Sequence, residues 1–128
     1  MQAKAQPTNY GLRFKLGMAL YQGGRFNEAI SEFQTAVKDP QKKLQAYVYM
    51  GQAFLNKKDF DMAIEQFKNA LQTLSPKDRL YKDTLYHLGM AYEAANRKAD
   101  AIESFMTIYK EDIKYRDVQE RLNRLKQQ

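Results

Sequence analysis

The sequence predicts an all-α solenoid of stacked helical hairpins, and three observations carry that expectation. A short block recurs three times, the apolar spacing inside each block is helical, and each block is divided by turn-forming residues. Leu16-Gly17-Met18-Ala19-Leu20, Met50-Gly51-Gln52-Ala53-Phe54 and Leu88-Gly89-Met90-Ala91-Tyr92 align without gaps. Twelve residues after each glycine comes Ala-Ile, and then Phe: Ala29-Ile30 and Phe33, Ala63-Ile64 and Phe67, Ala101-Ile102 and Phe105. The glycines are 34 and then 38 residues apart. Self-similarity at such a period is the signature of a repeat architecture.

In the first copy, Leu16, Ala19, Leu20 and Gly23 share one face of a 3.6-residue helix. Ile30, Phe33, Ala36 and Val37 share a face of the next. Between the two helices of successive copies stand Gly23-Gly24, Asn56-Lys57-Lys58-Asp59 and Asn96-Arg97. Gly and Asn tolerate the left-handed residue that ends a helix, and Asp59 is expected to cap the helix that follows. Small Gly and Ala let the paired helices approach closely, while the Phe fills the wedge between them.

Four extra residues separate copies two and three, about one helical turn. Ser75-Pro76-Lys77-Asp78 reads as an N-cap, a proline at the first helical position and an acid three residues after the cap. The insertion is therefore expected to extend the first helix of copy three, starting near Pro76 and running to about Ala95. A last helix, about Tyr115 to Lys126, carries the stripe Val118, Leu122 and Leu125, with Arg116, Glu120, Arg121 and Arg124 facing elsewhere. It would cover the end of the third hairpin, because a solenoid hairpin buries its apolar face only against a neighbour. Seven helices follow.

This pattern resembles the tetratricopeptide repeat family, from about Tyr10 to Ile113. The departures are Arg13 where a bulky residue is expected, Lys98 in place of the aromatic seen as Phe26 and Phe60, and Ile108 in place of Ala36 and Ala70. The expected organisation is a flexible tail over 1–9 and repeats over 10–43, 44–81 (with the four extra residues) and 82–113. The capping helix then occupies 114–128. The resemblance implies a right-handed superhelix whose first helices line a concave groove. Carrying over the groove-facing positions gives Phe14, Lys15, Met18 and Tyr21 from copy one. Copy two gives Gln45, Val48, Tyr49, Gln52, Leu55 and Asn56, and copy three Asp83, Tyr86, His87, Met90 and Glu93. Tyr21, Tyr49, Tyr86 and Met90 are the expected accessible contacts, since Tyr offers wide contact area with a polar tip and Met adapts its shape.

Composition narrows the function. The 128 residues contain no Cys, which removes disulfides, thiolate metal sites and thiol catalysis together. The single His87 has no second ligand at metal spacing. Asp59, Asp61, Glu111 and Asp112 fall at turns and helix ends, where capping explains them. Ser31, Ser75 and Ser104 have no adjacent base, and Gly23-Gly24 is a hairpin turn rather than a phosphate loop. No catalytic residue, metal or cofactor is expected. The net charge of +6 is spread thinly, with no like-charge run longer than Lys42-Lys43 or Lys57-Lys58, so nucleic acid is an unlikely ligand. The chain has no apolar stretch long enough to span a bilayer and no signal-peptide core, and a cytoplasmic setting is expected.

The expected function is a non-enzymatic module that binds a peptide or partner helix in its groove. Self-association through the groove or the open first-helix face is the alternative. Electrostatic binding of RNA or anionic lipid through Lys42, Lys43, Lys57, Lys58 and the last helix ranks third. Relatives that grip the terminal carboxylate of chaperone tails use Lys, Asn and Arg at five groove positions. Here those positions hold Phe14, Met18, Tyr49, Asp83 and His87, so that use is not expected.

Overall fold

In a computed structural model, residues 9–127 are described; most of the tail expected over 1–9 lies outside them. The chain forms α1 (Tyr10–Gln22), α2 (Phe26–Ala36), α3 (Lys43–Asn56), α4 (Phe60–Gln72), α5 (Arg79–Ala94), α6 (Lys98–Glu111) and α7 (Val118–Gln127). These seven helices, with no strand among the described residues, make three antiparallel hairpins and a final helix. Each hairpin's first helix packs on the second helix of the hairpin before it: α3 on α2 and α5 on α4, with α7 on α6 in the same manner.

The glycine of each first helix is a steric requirement. A Cβ at Gly17 would stand 2.7 Å from the Phe33 ring, at Gly51 2.5 Å from Phe67, and at Gly89 2.6 Å from Phe105. The three phenylalanines are fully buried. Glycine and phenylalanine thus form one contact repeated three times, and the ring lies directly on the bare helix backbone.

The turns repeat as faithfully. Gly24, Lys58 and Asn96 occupy equivalent places with φ of 78°, 64° and 61°. The following N–H groups reach back to Leu20, Phe54 and Tyr92 carbonyls at 2.9, 2.9 and 2.8 Å, the hydrogen bond of a Schellman end. In copy two the left-handed residue is therefore Lys58 rather than Asn56. Asp59 does precede α4, but its side chain makes no cap bond.

The four-residue insertion corrects the expectation of a helix starting near Pro76. The Ser75 N–H donates to Asp78 Oδ2 at 2.7 Å and the Asp78 N–H to the Ser75 carbonyl at 2.9 Å. This closes a turn ahead of α5. The connections α2–α3 and α4–α5 are equally long, so the extra residues enter the helices: α4 gains two at its end and α5 two at its start.

The last helix begins later than expected, at Val118. Its stripe keeps the repeat register: Val118, Leu122 and Leu125 lie 34 residues after Thr84, Leu88 and Ala91, and all six are buried. Asn123 stands where the glycine would be, and it is exposed.

Candidate functional site

The expected groove positions lie on α1, α3 and α5, and two aromatic groups pack along them. In the first, Tyr49 stacks on Phe33 at 6.0 Å and meets Phe14 and Tyr21 edge-on at 6.3 and 5.6 Å. These rings tie α1 to α3. The Tyr21 hydroxyl donates to Gln52 Oε1 at 3.1 Å, and Asn56 Nδ2 donates to the Gln52 carbonyl at 2.9 Å. Burial raises the Tyr21 pKa; the Asn56 hydrogen bond opposes this and nearby Tyr49 adds to it. Tyr21 is therefore a neutral donor at any physiological pH.

In the second group, His87 stacks on Phe67 at 5.6 Å and meets Tyr86 edge-on at 6.4 Å. Burial lowers the His87 pKa, Arg116 lowers it further, and Asp83 opposes both. The ring is held neutral. With Gln52 Oε1 accepting from Tyr21, the Gln52 amide N–H faces His87 Nε2 at 3.5 Å, a long contact. His87 Nδ1–H is then the nitrogen left for other acceptors.

Between α3 and α5 the groove deepens into a cavity of about 230 Å³. Leu44, Val48 and Tyr49 form one side, Leu80, Thr84 and His87 the other, with Gln45, Gln52 and Asp83 as its polar points. Its walls are mainly apolar.

Of the expected contacts, Lys15, Gln45 and Asn56 are exposed. Phe14, Met18, Tyr21, Val48, Tyr49, Gln52, Leu55, His87 and Met90 are half-buried. Three copy-three residues behave differently. Tyr86, expected to be accessible, is 6% exposed, with its hydroxyl donating to Asp117. Glu93 accepts from Arg121 at 3.0 Å and Arg124 at 3.4 Å, and Asp83 accepts from the Tyr115 hydroxyl and from Arg116. This end of the groove is engaged by the chain itself.

The residues responsible, Tyr115 to Arg124, were not among those expected at the groove. Arg121 does not face away from the body: its guanidinium lies over the Tyr86 and Phe105 rings at 5.5 and 5.9 Å and pairs with Asp117 and Glu93. Burial pushes the Asp117 pKa up, but the Tyr86 hydrogen bond and Arg121 outweigh it and hold the carboxylate below its usual range. The signal that would have found this wall is the 34-residue register, which places Asp117, just ahead of α7, and Arg121 on α7 where Asp83 and His87 stand on α5.

Among the described residues, no group of three or more His, Cys, Asp or Glu side chains is placed to hold a metal ion. No helix there is long and apolar enough to cross a membrane.

Comparison with known proteins agrees with this geometry. Family models of the tetratricopeptide repeat match residues 14–79 and 83–112. Over 68 residues, half of this chain, the sequence is 32% identical to histone-binding protein N1/N2 of Xenopus laevis. The chain matches only 12% of that protein's length. Among solved structures, the N-terminal domain of stress-induced protein-1 from C. elegans superposes with a TM-score of 0.80 at 18% identity. That match covers 91% of this chain and 94% of the other. The first tetratricopeptide domain of Spaghetti (RPAP3), bound to the HSP90 peptide SRMEEVD, superposes at 0.77 with 15% identity, covering 92% and 90%. Likeness at such identity speaks for the fold. With the glycine–phenylalanine contact repeated three times and the family models spanning most of the chain, this protein belongs to the tetratricopeptide repeat family.

Proposed function

We propose that the groove holds a peptide or partner helix, anchored by an apolar side chain in the cavity between α3 and α5. The cavity is the observation that carries this reading. At about 230 Å³ it falls below the roughly 300–1,000 Å³ of small-molecule sites, and it opens onto a groove that would hold the rest of a peptide. Val48, Leu80 and Tyr49 supply apolar contact, while Gln45, Gln52 and His87 offer hydrogen bonds that fix orientation. Family membership supports a protein–protein interaction module, and one neighbour binds a peptide in solved form.

The acidic tail bound by that neighbour is not the ligand we propose. Asp83 lines the cavity and Phe14, Met18 and Tyr49 are apolar or neutral, so a carboxylate-rich segment would meet a like charge and few cationic donors. Selection from a displayed peptide library tests the reading. The intact chain should enrich sequences sharing one apolar anchor, and Val48→Arg, which fills the cavity with charge, should lose them while keeping its helicity. Equal enrichment by the variant would refute the groove as the site.

A further inference from the structure

The two ends of the solenoid present the same kind of helix in different states. Leu12, Leu16 and Ala19 on α1 stand 34 residues before Ala46, Met50 and Ala53 on α3, and in register with Val118, Leu122 and Leu125 on α7. On α3 and α7 this stripe is buried against the preceding hairpin. On α1 it faces outward, with Leu12 61% and Leu16 42% exposed, two of the four large apolar side chains so exposed among the described residues. The surface complementary to such a stripe is the outer face of a second helix, which on α6 is occupied by α7.

We propose that α1 of a second copy competes with α7 for the outer face of α6, so that the chain assembles head to tail when α7 is displaced. The occupant follows from continuity with an interface the fold already makes: α3 on α2, α5 on α4 and α7 on α6 are one packing arrangement, and α1 carries the stripe it needs. α7 is fitted to be the competitor that leaves. Part of its hold is polar, through Tyr86, Asp117, Arg121 and Glu93. Outside the Val118, Leu122 and Leu125 stripe its exposed residues are polar, among them Gln119, Glu120, Asn123, Arg124 and Lys126, so docked α7 offers no apolar face to a further copy. The contact joins unlike faces and does not close on itself, so assembly continues beyond the dimer.

Sedimentation of the full-length chain across a concentration range tests this. The unaltered protein should remain a monomer. Asn123→Pro breaks α7 at an exposed position, and Leu122→Asp breaks its docking by placing a charge in the interface. Each variant should show a weight-average mass rising at least about twofold with concentration, without stopping at two copies. Adding Leu12→Asp and Leu16→Asp, both at exposed positions, should return either variant to a monomer. The proposal is overturned by variants that stay monomeric, or by assembly that the α1 charges do not remove. It is equally overturned if the unaltered chain assembles through α1 with α7 still docked. Loss of the whole fold in both α7 variants would also refute it, by showing that the third hairpin does not stand without α7.

Discussion

The α1 end and the α7 end of this solenoid carry the same sequence pattern and meet opposite fates. Leu16 and Leu122 hold the same place in the repeat, yet Leu16 is 42% exposed and Leu122 is 3% exposed. The stripe has the same i, i+4, i+7 spacing at the two ends, so that spacing does not decide burial. The neighbouring hairpin does: α7 has α6 beneath it, whereas among the described residues no hairpin packs on the outer face of α1. In a fold whose units touch only adjacent units, a residue's energetic weight is set by which side of the chain supplies a neighbour.

The comparison breaks most visibly under truncation of the two leucines. Leu122→Ala should cost about 2–5 kcal/mol in the unfolding of the third hairpin and its cap, the range for a buried leucine. Leu16→Ala should stay within about 0.5 kcal/mol, as surface changes do. Denaturant titration read by circular dichroism checks both, and equal losses would mean that the α1 face is covered in solution.

A smaller effect is expected at the polar contact that holds α7. Tyr86→Phe removes a hydroxyl that donates to Asp117 and accepts from Arg121 at 3.0 Å, while those two charges remain paired. The expected loss is about 1–2 kcal/mol, between a neutral and a charge-assisted hydrogen bond. Hydrogen exchange should place that loss in α7 and α5 and leave α1 to α3 unchanged.

His87 reports on the cap from inside the groove. Its folded pKa lies below its ordinary value of 6.5, so the unfolded chain takes up the proton first as pH falls. The stability due to neutral His87 is complete above about pH 6.5 and is lost as pH falls from there through the lowered folded value. His87→Gln should flatten this dependence. Arg116→Ala, which removes a cation belonging to the cap, should move the His87 pKa back up in an NMR titration, although burial will keep it below ordinary.

The smallest expected change lies in the turns. Lys58 and Asn96 adopt the left-handed conformation that Gly24 adopts in the first hairpin. Lys58→Gly removes about 1 kcal/mol of backbone strain and returns part of it through greater freedom in the unfolded chain. A net gain of a few tenths of a kcal/mol is expected, seen as a slightly higher denaturant midpoint.

Much of the fold was legible because its determinants are local. Gly51 and Phe67 sit sixteen residues apart, their contact closes within one hairpin, and both residue types are dictated by that contact. The family's turn and stripe positions follow the same logic, which is why hairpins, register and the final covering helix could be read from spacing alone. The candidate groove was legible in outline for Phe14, Tyr49 and His87, which line the first helices as expected. It was not legible for Tyr86, whose hydroxyl is claimed by Asp117, 31 residues onward: the repeat register brings Asp117 to the groove but does not name its partner. The insertion departs from its expected place for a related reason, since Ser75 and Asp78 satisfy each other in a turn instead of capping a helix that starts at Pro76.

The sequence by itself determined the repeating unit: the bare glycine under each phenylalanine, the helical stripes and the left-handed turn that joins each pair. These depend on backbone sterics and on contacts within a hairpin, and both recur wherever the residues recur. Only the tertiary structure decided which copy of each position is buried, which groove residues are already held by Tyr115, Arg116, Asp117, Arg121 and Arg124, and how His87 is kept neutral. Those outcomes depend on neighbours, and in a stack the first and last units have different ones.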